Sequence, residues 1–82
     1  MAGNGTVRGA VVRWDDARGG GVVEAAGLPG ACWVPAAVVD GGGTLRAGQV
    51  VDVDWTEPGT GDFACRATRA VRRQDLQATP GA

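Results

Sequence analysis

Short apolar runs with the character of strands, one of them in strict period-two alternation, dominate the chain up to about Trp55. The clearest run is Val50-Val51-Asp52-Val53-Asp54-Trp55, which puts Val51, Val53 and Trp55 on one face and Asp52 and Asp54 on the other. That is the signature of a half-buried strand. Shorter apolar runs stand at Ala10-Val11-Val12, Val22-Val23 and Cys32-Trp33-Val34. Turn-forming stretches separate them: Asp15-Asp16-Ala17-Arg18-Gly19, Gly27-Leu28-Pro29-Gly30, Asp40-Gly41-Gly42-Gly43 and Pro58-Gly59-Thr60-Gly61-Asp62. Residues 64–79 lack Gly and Pro, and their Ala, Arg and Gln content favours a helix. The first half of that segment alternates instead, with Phe63, Cys65, Ala67 and Val71 on one face and Ala64, Arg66 and Thr68 on the other. The alternation predicts a strand over residues 63–71.

Five strands are therefore expected, near residues 8–14, 20–25, 31–35, 49–56 and 63–71. Residues 1–7 read as a flexible N-terminus and 72–82 as a polar C-terminal tail. Five short strands joined by Gly-rich turns predict an all-β fold closed, or nearly closed, into a small barrel, which removes the exposed sheet edges.

Composition narrows this further. The 82 residues suffice for one domain. Ala, Val and Gly supply 14, 12 and 15 of them, against three Leu and three Trp, so the core must be small and Val-rich. Lys, His, Ser and Tyr are absent, which removes the usual general base, hydroxyl nucleophile and Schiff-base amine together. An enzyme is not expected.

Charge is uneven although the net value is −1. Residues 40–63 hold five acids against one Arg, while Arg66, Arg69, Arg72 and Arg73 form the only basic run. A sequence pI near 5.1 argues against a dedicated duplex binder, whose affinity would come from many Lys and Arg releasing counterions. The basic run reads as a solubilising end balanced against those acids, with a phosphate-contacting flank as the alternative. Asp52 and Asp54 read as a solvated strand face. The longest charge-free stretch, 15 residues from Ala25 to Val39, is broken by Gly and Pro and is shorter than the roughly 20 residues of a spanning helix. No membrane association is expected, and with no basic-then-apolar leader at the N-terminus a cytoplasmic location is. Cys32 and Cys65 lie 33 residues apart with no His in the chain, so no zinc site is expected. They read as reduced, buried thiols, the alternative being a disulfide.

Four local motifs occur in a familiar order. Gly9-Ala10-Val11-Val12-Arg13-Trp14-Asp15 is similar to Gly-Thr-Val-Lys-Trp-Phe-Asn, and Arg18-Gly19-Gly20-Gly21-Val22-Val23 to Lys-Gly-Phe-Gly-Phe-Ile. Cys32-Trp33-Val34-Pro35-Ala36-Ala37-Val38-Val39 is similar to Val-Phe-Val-His-Phe-Ser-Ala-Ile, and Thr44-Leu45-Arg46-Ala47-Gly48-Gln49-Val50-Val51 preserves Thr-Leu-x-x-Gly-Gln-x-Val. Over residues 8–71 the chain resembles the bacterial cold-shock domain, a five-stranded antiparallel Greek-key barrel of the OB-fold class. The resemblance implies binding of single-stranded nucleic acid by stacking bases on aromatics of the second and third motifs.

Most of those aromatics are replaced. Gly20 and Val22 stand where the family has two Phe, Pro35 and Ala36 where it has His and Phe, and Arg13 where it has Trp. Trp33 occupies the position of a family Phe, and Trp14 follows one place behind the family Trp. Trp33 alternates with Cys32 and Val34, so it faces outward if those two fill the core. There it serves as a stacking platform, with Arg13 and Arg18 as partners for phosphates or base faces, or else as a plug against Pro35 and Val22. Trp14 and Trp55 read first as cover for a thin core. The candidate nucleic-acid-binding residues are thus Arg13, Trp14, Arg18, Val22, Trp33 and Pro35. The implied activity is weak, sequence-tolerant binding of single-stranded DNA or RNA by a monomer without cofactor or metal. The alternative is a structural or protein-interaction module whose former nucleic-acid face serves a protein partner.

Overall fold

A computed structural model describes residues 3–73; the first two residues and residues 74–82 of the tail expected from residue 72 lie outside the described residues, while Arg72, expected in that tail, is the last residue of a strand. The strands are β1 (Asn4–Asp15), β2 (Gly20–Glu24), β3 (Cys32–Pro35), β4 (Val50–Thr56) and β5 (Cys65–Arg72), with a short 3-10 turn at Ala36–Val38 after β3. They close into a barrel in the order β1-β2-β3-β5-β4. Four of the pairings are antiparallel; closure between β3 and β5 is parallel, with Cys32 opposite Cys65 and Trp33 opposite Arg66. This is the Greek-key barrel of the OB-fold class, and the one parallel pair departs from the all-antiparallel expectation.

β1 serves two neighbours. Its residues 4–10 pair with β4 and its residues 10–15 with β2. Residues 4–7, expected as a flexible lead-in, are therefore strand. Asn4-Gly5-Thr6 carries no apolar alternation to announce this, and the pairing is imposed by β4, whose Trp55 ring lies over Gly3 and Gly5. Among the described residues, no helix is long and apolar enough to cross a membrane.

Two bulges reset the inside–outside phase. In β1 the register shifts between Val11, which is buried, and Arg13, leaving Val12 and Arg13 both exposed and Trp14 turned back to pack against the core. In β5 the register passes from Arg69 to Ala67, so Thr68 is the extra residue. Val71, expected on the face of Cys65 and Ala67, is accordingly displaced from it, and Ala70 takes the inner position. A bulge adds one residue and so reverses every later position, which period-two reading cannot foresee.

The core is small, as composition requires: Val11, Val23, Val34, Val39, Val51, Val53, Cys32, Cys65, Ala67 and Ala70, with Leu45 its largest fully buried side chain. Trp14, Leu28, Val38 and Trp55 cover it. Leu45 is delivered by the Thr44–Val51 motif. Gly48 adopts φ +92°, a left-handed value that favours glycine, and the turn is closed by Arg46 N donating to Gln49 Oε1 at 2.6 Å and Gly48 N donating to Val11 O at 2.8 Å.

Cys32 and Cys65 face each other inside the barrel as free thiols, both fully buried. Burial, then the Cys65 hydrogen bond, pushes the Cys32 thiol up to about 12. Near pH 8 its thiolate fraction is then on the order of one in ten thousand. Ellman's reagent at pH 8 is expected to label both cysteines only as fast as the barrel opens, and at once in 8 M urea, urea being the control that frees the thiols. Rapid native labelling, or a mass two hydrogens low without reductant, contradicts this. Because the folded-state value is raised, the stability linked to this proton is complete below the unfolded thiol's pKa and is lost as pH rises from about 9 toward 12.

On the outer face, Asp52 accepts from Arg8 Nε at 2.9 Å and from Arg73 Nη1 at 2.7 Å, and these hydrogen bonds, Arg8's first, hold its carboxyl below its ordinary value. Asp54 accepts from the Thr6 hydroxyl at 2.7 Å. Arg69 pairs with Asp40 at 3.7 Å, and Arg72 donates to the carbonyls of Asp40, Gly42 and Thr44. Three arginines of the basic run thus engage the acidic middle of the chain; Arg66 has no such partner among the described residues.

Candidate nucleic-acid interface

β3 alternates as its sequence requires: Cys32 and Val34 are buried in the core and Trp33 points outward, half-buried. Two consecutive glycines of β2 determine what the ring can do there. A Cβ on Gly20 would lie 2.6 Å from Trp33 Cζ2 and 2.5 Å from the Val34 carbonyl, and a Cβ on Gly21 would lie 2.5 Å from Trp14 Cε3. Successive Cβ directions on a strand point to opposite faces. Trp33 therefore lies against the outer side of β2 while Trp14 lies against its inner side, with its Nε1 donating to Asp16 Oδ1 at 2.9 Å. Trp14 covers the core and does not join the outer face.

The outer face carries a row across the strands. Arg13 of β1 stands opposite Val22 of β2, Val22 opposite Trp33 of β3, and Trp33 opposite Arg66 of β5. At roughly 4.8 Å between strands, Arg13 starts about 10 Å from Trp33 and Arg66 about 5 Å from it. Both arginines are exposed, and neither side chain takes part in an ion pair or hydrogen bond among the described residues. Val22 is buried between its two neighbours, outside the core cluster. Pro35 pairs with Gly20 one step along β3 and is half-buried.

Beside Trp33 the loop between β4 and β5 folds over, held by Phe63 N donating to Thr60 O and Ala64 N donating to Ala31 O, each at 3.1 Å. This brings the Phe63 ring to 5.4 Å from Trp33 between centroids, tilted by 38°. An open pocket of about 360 Å³ results, lined by Arg18, Trp33, Thr60, Gly61, Asp62 and Phe63. Arg18 comes from the β1–β2 turn, where its guanidinium lies a loose 3.6 Å from Asp15. The pocket thus joins strand β3 to the β1–β2 and β4–β5 loops, the part of an OB-fold that takes oligonucleotides and oligosaccharides. No protein-family model, curated protein or solved structure matches the chain.

Of the residues singled out from sequence, Trp33 and Arg18 line this pocket, Arg13 and Val22 extend the row that contains Trp33, Pro35 stands opposite Gly20 without lining the pocket, and Trp14 lies on the other side of the sheet. Phe63 was expected inside the barrel at the start of a strand; β5 begins at Cys65, which frees Phe63 to meet Trp33. Arg66 was grouped with a solubilising run, and only the parallel register places it beside Trp33. A sign of Phe63's role was its place directly after the turn sequence Gly59-Thr60-Gly61-Asp62, where pairing has not begun. Among the described residues, no group of three or more His, Cys, Asp or Glu side chains is placed to hold a metal ion.

Proposed function

We propose that this barrel is a divergent cold-shock-like protein that binds single-stranded DNA or RNA, weakly and without catalysis. The observation that carries the reading is the Trp33–Phe63 pocket beside a cross-strand row in which Trp33 stands between Arg13 and Arg66, two arginines without an ion-pair or hydrogen-bond partner among the described residues. An exposed aromatic face takes any base, and guanidinium groups on either side take the phosphates that flank it. One stacked base contributes roughly 1–3 kcal/mol, so a single platform cannot sustain the affinity of several.

The test is tryptophan quenching by heptathymidylate over a salt series. With Arg13, Arg18 and Arg66 as the phosphate contacts, log affinity against log salt is expected to fall with a slope of about −2, from about 0.7 per contact on single strands. Absence of quenching at low salt refutes the proposal and favours a protein partner on the same face. Quenching that salt leaves unchanged does the same, since an apolar contact is insensitive to screening.

A further inference from the structure

Stacking alone does not discriminate among bases, yet this pocket has polar edges. Its rings stand too close for a base to enter between them: a sandwich needs roughly 9 Å, twice the shortest usual aromatic spacing of about 4.5 Å, against the 5.4 Å present. A base stacked on the open side of the ring pair would share the pocket with the loop of Thr60, Gly61 and Asp62, which lines it. Asp62 lies in that loop and is exposed, and its carboxylate joins no hydrogen bond or ion pair among the described residues. It offers acceptors only, whereas the Thr60 hydroxyl can donate.

We infer that the pocket selects guanine as the one base read by the protein. This rests on the single-strand reading above and adds a base preference to it. Guanine presents two adjacent donors, N1–H and the N2 amine, beside the acceptor O6. The two oxygens of Asp62 accept from both donors while the Thr60 hydroxyl donates to O6. Thymine and uracil turn two carbonyl oxygens toward the carboxylate, flanking a single N–H. Cytosine and adenine each set a ring-nitrogen acceptor beside their amine. Each therefore repels one carboxylate oxygen where guanine satisfies both. Arg18, at the pocket's other wall, is left for the phosphate of the bound nucleotide.

The experiment titrates the full chain with heptamers of thymidine whose central position is T, C, A, G or inosine, and separately with GMP and TMP. The central G is expected to bind about fivefold tighter than T, at the low end for a bidentate base contact because the pocket is open. Inosine, which lacks the N2 amine, is expected to lose most of that gain. In Asp62→Asn the G-to-T ratio should fall to one or below, since an amide offers one donor and one acceptor and so suits thymine. Equal affinity for all the heptamers, or a G-to-T ratio unchanged in Asp62→Asn, overturns the inference and leaves single-strand binding standing. GMP binding as tightly as the G heptamer supports guanine selection and overturns the strand reading. If neither heptamers nor GMP bind, both are overturned.

Discussion

Trp33→Ala is expected to weaken single-strand binding about tenfold to a hundredfold while the barrel stays folded. The ring is the only tryptophan of the three that lies on the outer face, over Gly20 and against Phe63. Removing it takes away the ring on which a base would stack and one lining wall of the open pocket. Stability should suffer less than for a core aromatic, because Cys32 and Val34 on the same strand keep their inward contacts. Anisotropy of a labelled heptathymidylate is the suitable readout, since the variant also deletes the one tryptophan of the three that lies at the site. Urea unfolding by circular dichroism checks that the fold persists. Val22→Phe supplies the opposite sign: it adds an aromatic between Arg13 and Trp33 and should tighten binding. Wild-type affinity in folded Trp33→Ala would refute the site.

Leu45→Ala should be the most damaging single truncation in the core. Leu45 is the largest fully buried side chain, in an interior otherwise built from Val, Cys and Ala. Leu→Ala costs about 2–5 kcal/mol according to how far the cavity collapses, and strands on every side of a closed barrel leave little freedom to collapse. A domain of this size has a total stability near the low end of the usual 5–15 kcal/mol range. The melting temperature is expected to fall by on the order of 10–40 °C. Leu45→Met, which conserves volume, should cost less than about 1.5 kcal/mol and serves as the control. A melt within a few degrees of wild type for Leu45→Ala would mean that the turn carrying it does not seal the barrel.

The core strands were legible because their inner positions repeat every second residue without interruption. Val51 and Val53 in β4, and Cys32 and Val34 in β3, lie where alternation puts them. Legibility ended where the chain inserts a residue or where a partner imposes the pairing. Val12 and Thr68 break the alternation; the second moved Val71 off its expected face, while Trp14 packs against the core as its first reading had it. Asn4 to Val7 is held as strand by β4 rather than by its own apolar content. The same limit applied to the site. Trp33 could be assigned an outward face from its neighbours alone, whereas Phe63 and Arg66 reach it only through a loop path and a parallel register that lie beyond local pattern. The solvated face predicted for Asp52 and Asp54 is the outer face, although Arg8 and Arg73 occupy Asp52 there.

The absent side chain at position 20 constrains which sequences are reachable from this one. The Trp33 ring occupies the space that a Cβ on Gly20 would need. A bulky residue at 20 and the tryptophan ring at 33 as it lies here are therefore mutually exclusive, and the two positions must be epistatic. Restoring an aromatic at 20 alone would expel the ring on which the pocket is built, and shrinking residue 33 alone would leave β2 bare. A return to a broad stacking surface thus requires both changes together, through intermediates that bind worse than either end. The glycine at 20, which reads as a loss relative to the cold-shock pattern, is in this barrel what makes room for the one ring on which the open pocket is built.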